Sequence, residues 1–174
     1  MKKESFLWGL AGFTFTSVMG TLLHFLYELS EGRLWAAVIS GVNESTWEHM
    51  KLLFFPMLTF AVLEYFFFGD RRDFWLIQLK SILLGLVLIP VIFYTYNMAF
   101  GKSPDWLNIS IFFIAALFAY RWQGKAFLKD EKPSRFPILP LAVLCGIAIL
   151  FMVFTFYPPE IGLFRDPISG GYGI

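Results

Sequence analysis

The chain has 174 residues and a formal net charge of +1; 57% of its residues are hydrophobic and 16% are charged. Soluble domains carry roughly 25% charged residues, so this chain has too few charges for a surface that faces water on all sides. Its 22 Phe residues and mean hydropathy of +0.64 favour a surface that faces lipid. A single cysteine, Cys145, excludes an internal disulfide and any Cys-x-x-Cys zinc or redox motif.

Five apolar segments approach or exceed the roughly 20 residues that a membrane-spanning helix needs. The predicted spans are residues 6–28, 45–68, 74–98, 106–122 and 136–157. The first follows Lys2 and Lys3 and is longer than the core of a cleavable signal peptide, so we interpret it as a retained helix. The sequence therefore predicts one domain, an all-α integral membrane bundle of five transmembrane helices.

Two segments of the chain do not fit a membrane span. Residues 31–41 contain an apolar stretch too short to cross, flanked by Arg33 and including Trp35, and predict an interfacial or re-entrant segment between the first two spans. Residues 158–174 contain seven Pro or Gly and predict a non-helical tail. Aromatic residues at intervals along this tail suggest that it folds over a neighbouring site as a lid.

Basic residues are distributed unevenly between the two sides of this arrangement. Ten of the 14 Lys and Arg residues fall on the side of the N-terminus. The other side carries Arg33, Lys51, Lys102 and Arg165. Because Lys and Arg accumulate in cytoplasmic loops, we predict an inside N-terminus and an outside C-terminus. If residues 31–41 crossed the membrane completely, every later loop would change sides and this bias would disappear. The bias therefore favours five spans.

The polar stretch at residues 43–49, Asn-Glu-Ser-Thr-Trp-Glu-His, comes directly before a long apolar run. Ser45 and Glu48 have the spacing of a capping box, in which a hydroxyl and a carboxylate bond to free amides at a helix start. The chain has only two histidines, and one of them, His49, is here. The other, His24, lies near the outer end of the first span, so we expect a site where these segments meet.

Residue types and spacing at this meeting point suit a divalent metal. His24 and Glu28 are four residues apart, as are Glu44 and Glu48, so each pair shares one helix face. Imidazole and carboxylate ligands suit Zn²⁺, Mn²⁺ or Fe²⁺. We predict His24, His49 and Glu44 as metal ligands. Glu28 or Glu48 would be the general base of a metal-dependent enzyme that acts on a lipid or amphiphile.

Four further polar residues at the same end of the bundle are predicted to bind the substrate: Asn43, Tyr27, Tyr94 and Asn97. Two alternatives stay open at this point. The same groups would bind a cationic solute or carry protons in a transport protein, because ionisable side chains at membrane depth are costly and mark functional sites. A purely structural His–Glu pairing, in an accessory membrane subunit, would also explain both segments. Glu64 and Lys80 are interpreted separately as structural residues, which either pair with each other or extend toward Asp73 and Arg71.

The pattern N-E-S-x-W-E-H at residues 43–49, together with the Pro- and Gly-rich tail 158–174, resembles a family of small bacterial polytopic membrane proteins of unknown function. The resemblance covers most of the chain and implies a location in the bacterial cytoplasmic membrane, but it supplies no activity. Zinc hydrolases of the alkaline ceramidase and adiponectin receptor type need three histidines and seven spans, so they do not match. We expect the lipid bilayer and a small-molecule or lipid ligand as partners, and no nucleic acid; the oligomeric state stays open.

Overall fold

The computed structural model describes residues 2–101, 104–129 and 135–174, and Lys102 and Lys132 of the charge count lie outside these ranges. Within them the chain forms five long helices and one short helix. They are α1 (Lys2–Leu29), α2 (Leu34–Ile39), α3 (Thr46–Phe68), α4 (Phe74–Phe100), α5 (Asp105–Phe127) and α6 (Leu139–Phe156). The all-α prediction is confirmed, and the predicted spans correspond to the five long helices with boundary shifts of up to five residues.

In this part of the chain, four helices are long and apolar enough to cross a membrane: α1, α3, α4 and α6. These four candidate spans indicate a multi-pass membrane protein. The fifth predicted span, α5, is not among them. Its last turns contain Arg121, Gln123 and Lys125, which lower its hydropathy although it is as long as α3.

The helices pack as a bundle in which α1 contacts α3 and α5, and α4 lies against α3, α5 and α6. Short connections join α3 to α4 and α4 to α5, so these neighbours run antiparallel. The C-terminal tail lies at the end of the bundle where α1 ends and α3 begins. We call this end the tail end, and we call the other one the opposite end. A Cβ at Gly12 would overlap the rings of Phe60 and Tyr120, so this glycine allows α1 to approach α3 and α5 closely.

The start of α3 is capped differently from the predicted capping box. Ser45 Oγ accepts a hydrogen bond from the Glu48 amide at 3.4 Å, as predicted. The reciprocal half of the box is wrong, since the Ser45 amide donates to Asn43 Oδ1 at 2.9 Å and Glu48 accepts from the Val42 amide at 3.2 Å. The physical reason is that Lys51, one turn into the helix, attracts the Glu48 carboxylate into the core.

The tail is non-helical, as the sequence predicted, and it packs on the first turn of α3. The Trp47 amide donates to Leu163 O at 3.0 Å. Phe164 is only 4% exposed, and its ring lies 4.7 Å from the Trp47 ring and 5.5 Å from the Phe154 ring. This contact fixes the tail beside residues 43–49.

The short segment between α1 and α3 forms α2. Its Ala36 and Ala37 are fully buried, while Leu34 and Trp35 are exposed. Six residues are far too few to cross a membrane. The segment instead contacts α6, and its Ala37 carbonyl accepts a hydrogen bond from Lys51 in the interior of the bundle.

Candidate functional site

Three predicted metal ligands meet at the tail end of the bundle. His24 Nε2 lies 3.7 Å from Glu44 Oε1, and His49 Nε2 lies 3.5 Å from Glu44 Oε2. The two imidazole rings are 5.7 Å apart. His49 Nδ1 lies 3.0 Å from Ser45 O, and a carbonyl only accepts, so Nδ1 carries a hydrogen and Nε2 is the atom turned to Glu44. The cluster joins the end of α1 to the segment before α3.

A cavity of about 260 Å³, which we call the tail-end cavity, opens beside this cluster. Its apolar wall comes from α4 and α5 and consists of Ile89, Phe93, Ile111 and Phe112. Its polar lining includes Thr46, His49, Asn97 and Asn108. Glu44 also lines it and is 41% exposed, so the carboxylate is accessible from the cavity.

A second cavity of about 400 Å³ adjoins the first and shares Glu44, Thr46, Phe93 and Pro167 with it. The tail supplies its other side, including Arg165 and Asp166. The tail therefore borders both cavities, which agrees with its predicted place over the site.

Hydrogen bonds around Asp166 hold this part of the tail in place. Burial alone would raise the pKa of Asp166, but hydrogen bonds from Ser169 Oγ and from the amides of Ile168, Ser169 and Glu44 bring its pKa below the ordinary value. The bond to the Glu44 amide connects the tail directly to the residue at the centre of the site.

Two of the four predicted substrate residues line these cavities. Asn97 lines the tail-end cavity, and Tyr94 lines the adjoining one, with its hydroxyl 3.5 Å from Thr46 Oγ1. Asn43 is instead engaged in structure, accepting from the Ser45 amide and donating to Gly173 O at 2.9 Å. Tyr27 lines neither cavity and lies beside Gly32 at the turn after α1.

The two predicted general bases are not at the cluster. Glu28 is exposed on the last turn of α1, lines neither cavity, and makes no side-chain hydrogen bond or ion pair within the described ranges. Glu48 is 2% exposed, and its Oε2 lies 2.6 Å from Lys51 Nζ. The geometry thus leaves Glu44 as the carboxylate that both histidines face.

Lys51 has a partner for each of its three ammonium hydrogens. Besides Glu48, it donates to Ala37 O at 2.8 Å and to Thr155 Oγ1 at 2.7 Å. Thr155 Oγ1 lies 3.1 Å from Glu48 Oε1. This network is completely buried and connects α2, α3 and α6, so the pair is a structural element of the bundle. Lys51, one of the four basic residues counted on the outer side, thus has its charge inside the bundle.

Metal binding by this cluster receives no support from the geometry. Among residues 2–101, 104–129 and 135–174, no group of three or more His, Cys, Asp or Glu side chains is arranged to hold a metal ion. Glu44 uses a different oxygen toward each histidine, so the three side chains form a chain of contacts.

Two polar residues that line the tail-end cavity, Thr46 and Asn108, were not predicted from the sequence. Thr46 was considered only as part of a helix cap. Asn108 is the fourth residue of α5, and a polar amide just before a long apolar run is the signal that could have found it.

The chain belongs to the Family of unknown function (DUF6512), whose model matches residues 1–174. The predicted resemblance to an uncharacterised family is thereby confirmed over the whole chain. No curated protein and no solved structure matches it.

Proposed function

We propose that this protein binds a small organic cation with an apolar body in the tail-end cavity, as a five-span protein of the bacterial cytoplasmic membrane. The observation that supports this most directly is the combination of one accessible carboxylate, Glu44, with an apolar wall in a cavity of about 260 Å³. Ligand sites of this kind are mainly apolar, with a few polar groups that fix orientation.

Charge favours a cation as the ligand. Glu44 is the only carboxylate among the described residues that line the tail-end cavity, and neither Lys nor Arg lines it there. The rings of Phe93 and Phe112 form part of the wall. Aromatic faces attract cations, most strongly where water is excluded. A ligand with its cationic group at Glu44 and its apolar body against these rings would use both features.

The two histidines have a positioning role in this proposal. His24 and His49 contact opposite oxygens of Glu44 and keep its carboxylate at the cavity rim.

Orientation and the fifth span belong to the same proposal. Apart from Lys51, which is buried in its ion pair, the described residues of the tail end include two basic ones, Arg33 and Arg165, so we assign this end to the outer side of the membrane. We assign α5 as the fifth span because it packs along α4 and α1. The binding cavity then opens toward the outside.

Isothermal titration calorimetry on the detergent-purified full chain tests the charge preference. We expect benzyltrimethylammonium to bind at least about tenfold more tightly than the neutral N-benzylacetamide, a difference of roughly 1.4 kcal/mol. The anionic phenylmethanesulfonate, of similar size, should not bind detectably. Equal binding of all three probes, or preference for the anion, would overturn the proposal.

A divalent metal at the same cluster is the competing hypothesis, because two imidazoles and one carboxylate, the residue types that meet there, are ligands that Zn²⁺, Mn²⁺ and Fe²⁺ accept. Elemental analysis of purified wild type, His24→Ala and His49→Ala separates the two. Near-stoichiometric Zn, Mn or Fe that is lost in both variants would replace the organic-cation proposal with a metal-dependent enzyme.

A further inference from the structure

A second carboxyl group is buried far from the tail-end cavity, near the other end of α3. Glu64 is 1% exposed and lies four residues, about 6 Å, from the end of this helix. Its Oε2 accepts hydrogen bonds from Gln78 Nε2 at 2.7 Å and from Gln123 Nε2 at 2.6 Å. Three helices, α3, α4 and α5, thus meet at one carboxyl oxygen.

Glu64 differs from Glu48, the other buried carboxyl on the same helix. Glu48 has the ammonium group of Lys51 beside it, whereas the described residues that donate to the Glu64 carboxyl group are two neutral amides. Of the two interpretations of Lys80, a pair with Glu64 is wrong, since Lys80 is exposed and makes no ion pair with Glu64. The other is in line with the structure, because the charge of Lys80 acts on Asp73. A buried carboxylate without a cation is strongly unfavourable, and protonation removes the charge.

Both amides bond to Oε2, so Oε1 is the oxygen that remains for a proton. Oε1 makes no hydrogen bond to any residue in the described ranges. Glu64 also lines a cavity of about 200 Å³, the opposite-end cavity, together with Ser5 and Gln123. This space provides a path for water and protons to the carboxyl group.

Several other charged and titratable groups lie around the opposite-end cavity, and Glu64 is the buried acid among them. Glu4 of α1 and Arg71 of the α3–α4 turn line the same cavity. Arg71 forms a two-pronged contact with Asp73 at 2.9 and 2.8 Å, which holds the pKa of Asp73 below its usual value. Arg71 also donates to Phe127 O at 2.8 Å. Its guanidinium group is therefore turned toward Asp73 and Phe127. Tyr120 of α5 is close to Glu64, but its hydroxyl is bonded to Thr16 at 2.8 Å.

We propose that Glu64 is an exchangeable proton-binding site reached through the opposite-end cavity. The carboxylate takes up one proton on Oε1 and becomes a neutral carboxylic acid, while Gln78 and Gln123 keep their bonds to Oε2. This site lies away from the tail-end cavity and does not depend on the ligand proposed there. It would give the membrane domain a proton-dependent state controlled from the opposite end.

Infrared difference spectroscopy of the full chain in lipid nanodiscs tests the proposal. We expect a carboxylic acid C=O band in wild type that shifts in D₂O, loses intensity as pH rises, and is absent in Glu64→Gln. The isosteric variant keeps an amide able to bond to its neighbours. A band that is missing at every pH, or one that neither exchanges nor titrates, would overturn the proposal.

Carbodiimide labelling provides an independent readout with a matched control inside the same helix. Carbodiimides react with protonated carboxyl groups, so we expect mass-spectrometric labelling at Glu64 that decreases as pH rises. Glu48 is equally buried but paired with Lys51, and it should stay unlabelled. Equal labelling of Glu48 and Glu64, or a pH-independent yield at Glu64, would contradict a specific exchangeable site.

Discussion

Lys51 Nζ lies 2.6 Å from Glu48 Oε2, and the two side chains are 0% and 2% exposed. They are three residues apart on one turn of α3, and Thr155 of α6 contacts both. A buried pair with all its donors satisfied stabilises a packing arrangement, and loss of one partner leaves an uncompensated charge. The pair therefore holds α2, α3 and α6 together beneath the tail end.

Lys51→Met should lower the free energy of unfolding by about 3–5 kcal/mol, because Glu48 would remain buried without its cation. The double variant Glu48→Gln/Lys51→Met should recover part of that loss. Denaturation of the purified protein by SDS in mixed micelles measures both. Lys125→Met is the control, since Lys125 is exposed on α5. A single variant as stable as this control would contradict a structural role for the pair.

Phe164 anchors the tail through its contacts with Trp47 and Phe154. We expect Phe164→Ala to destabilise the protein by roughly 3 kcal/mol, at the lower end of the range for buried aromatic truncations. Ile161→Ala removes an exposed apolar side chain from the same tail and should have little effect. Thermal denaturation of both variants checks the difference. Equal midpoints would show that the tail does not pack stably on α3.

Acid should weaken the attachment of the tail through Asp166. Its folded pKa lies below the unfolded value, so its contribution to stability is complete above the ordinary aspartate pKa of about 4. That contribution is lost as pH falls through the folded pKa. We expect wild type to be more stable than Asp166→Asn at pH 7, and the difference to shrink on acidification below about pH 4. A difference that stays constant with pH would contradict this role.

The sequence predicted the helices well because long apolar runs determine them, and it brought His24, Glu44 and His49 into one neighbourhood. It did not predict the partners of the buried acids. Lys51 was counted with the basic residues of the outer side, although its spacing of three residues from Glu48 is itself a signal of pairing on a helix. Its other contacts, Ala37 and Thr155, come from α2 and α6 and depend on the packing of the bundle.

Glu28 shows the limit of helix-face reasoning. It is four residues from His24, so both lie on one side of α1, but α1 ends at Leu29 and Glu28 projects from its exposed last turn. For Glu64, the sequence offered Lys80 as one of two structural interpretations. The real partners, Gln78 and Gln123, are neutral residues in two other helices, and only the fold brings them to the same oxygen.

The proposed orientation predicts a C-terminus outside the cytoplasm. Alkaline phosphatase fused after Ile174 should be active in bacteria, while green fluorescent protein at the same position should be dark. Fusion after Phe68, at the end of α3, should give the reverse pattern and serves as the control. A C-terminal fusion that is active only in the cytoplasm would mean an even number of spans.

The affinity for benzyltrimethylammonium of Glu44→Gln, compared with Glu28→Gln, tests the central claim most directly. Both variants remove one carboxylate at the tail end, but only Glu44 lines the tail-end cavity and contacts the histidines. We predict a loss of at least about tenfold, roughly 1.4 kcal/mol, for Glu44→Gln and unchanged binding for Glu28→Gln. Equal affinities in the two variants would contradict a cation site at Glu44.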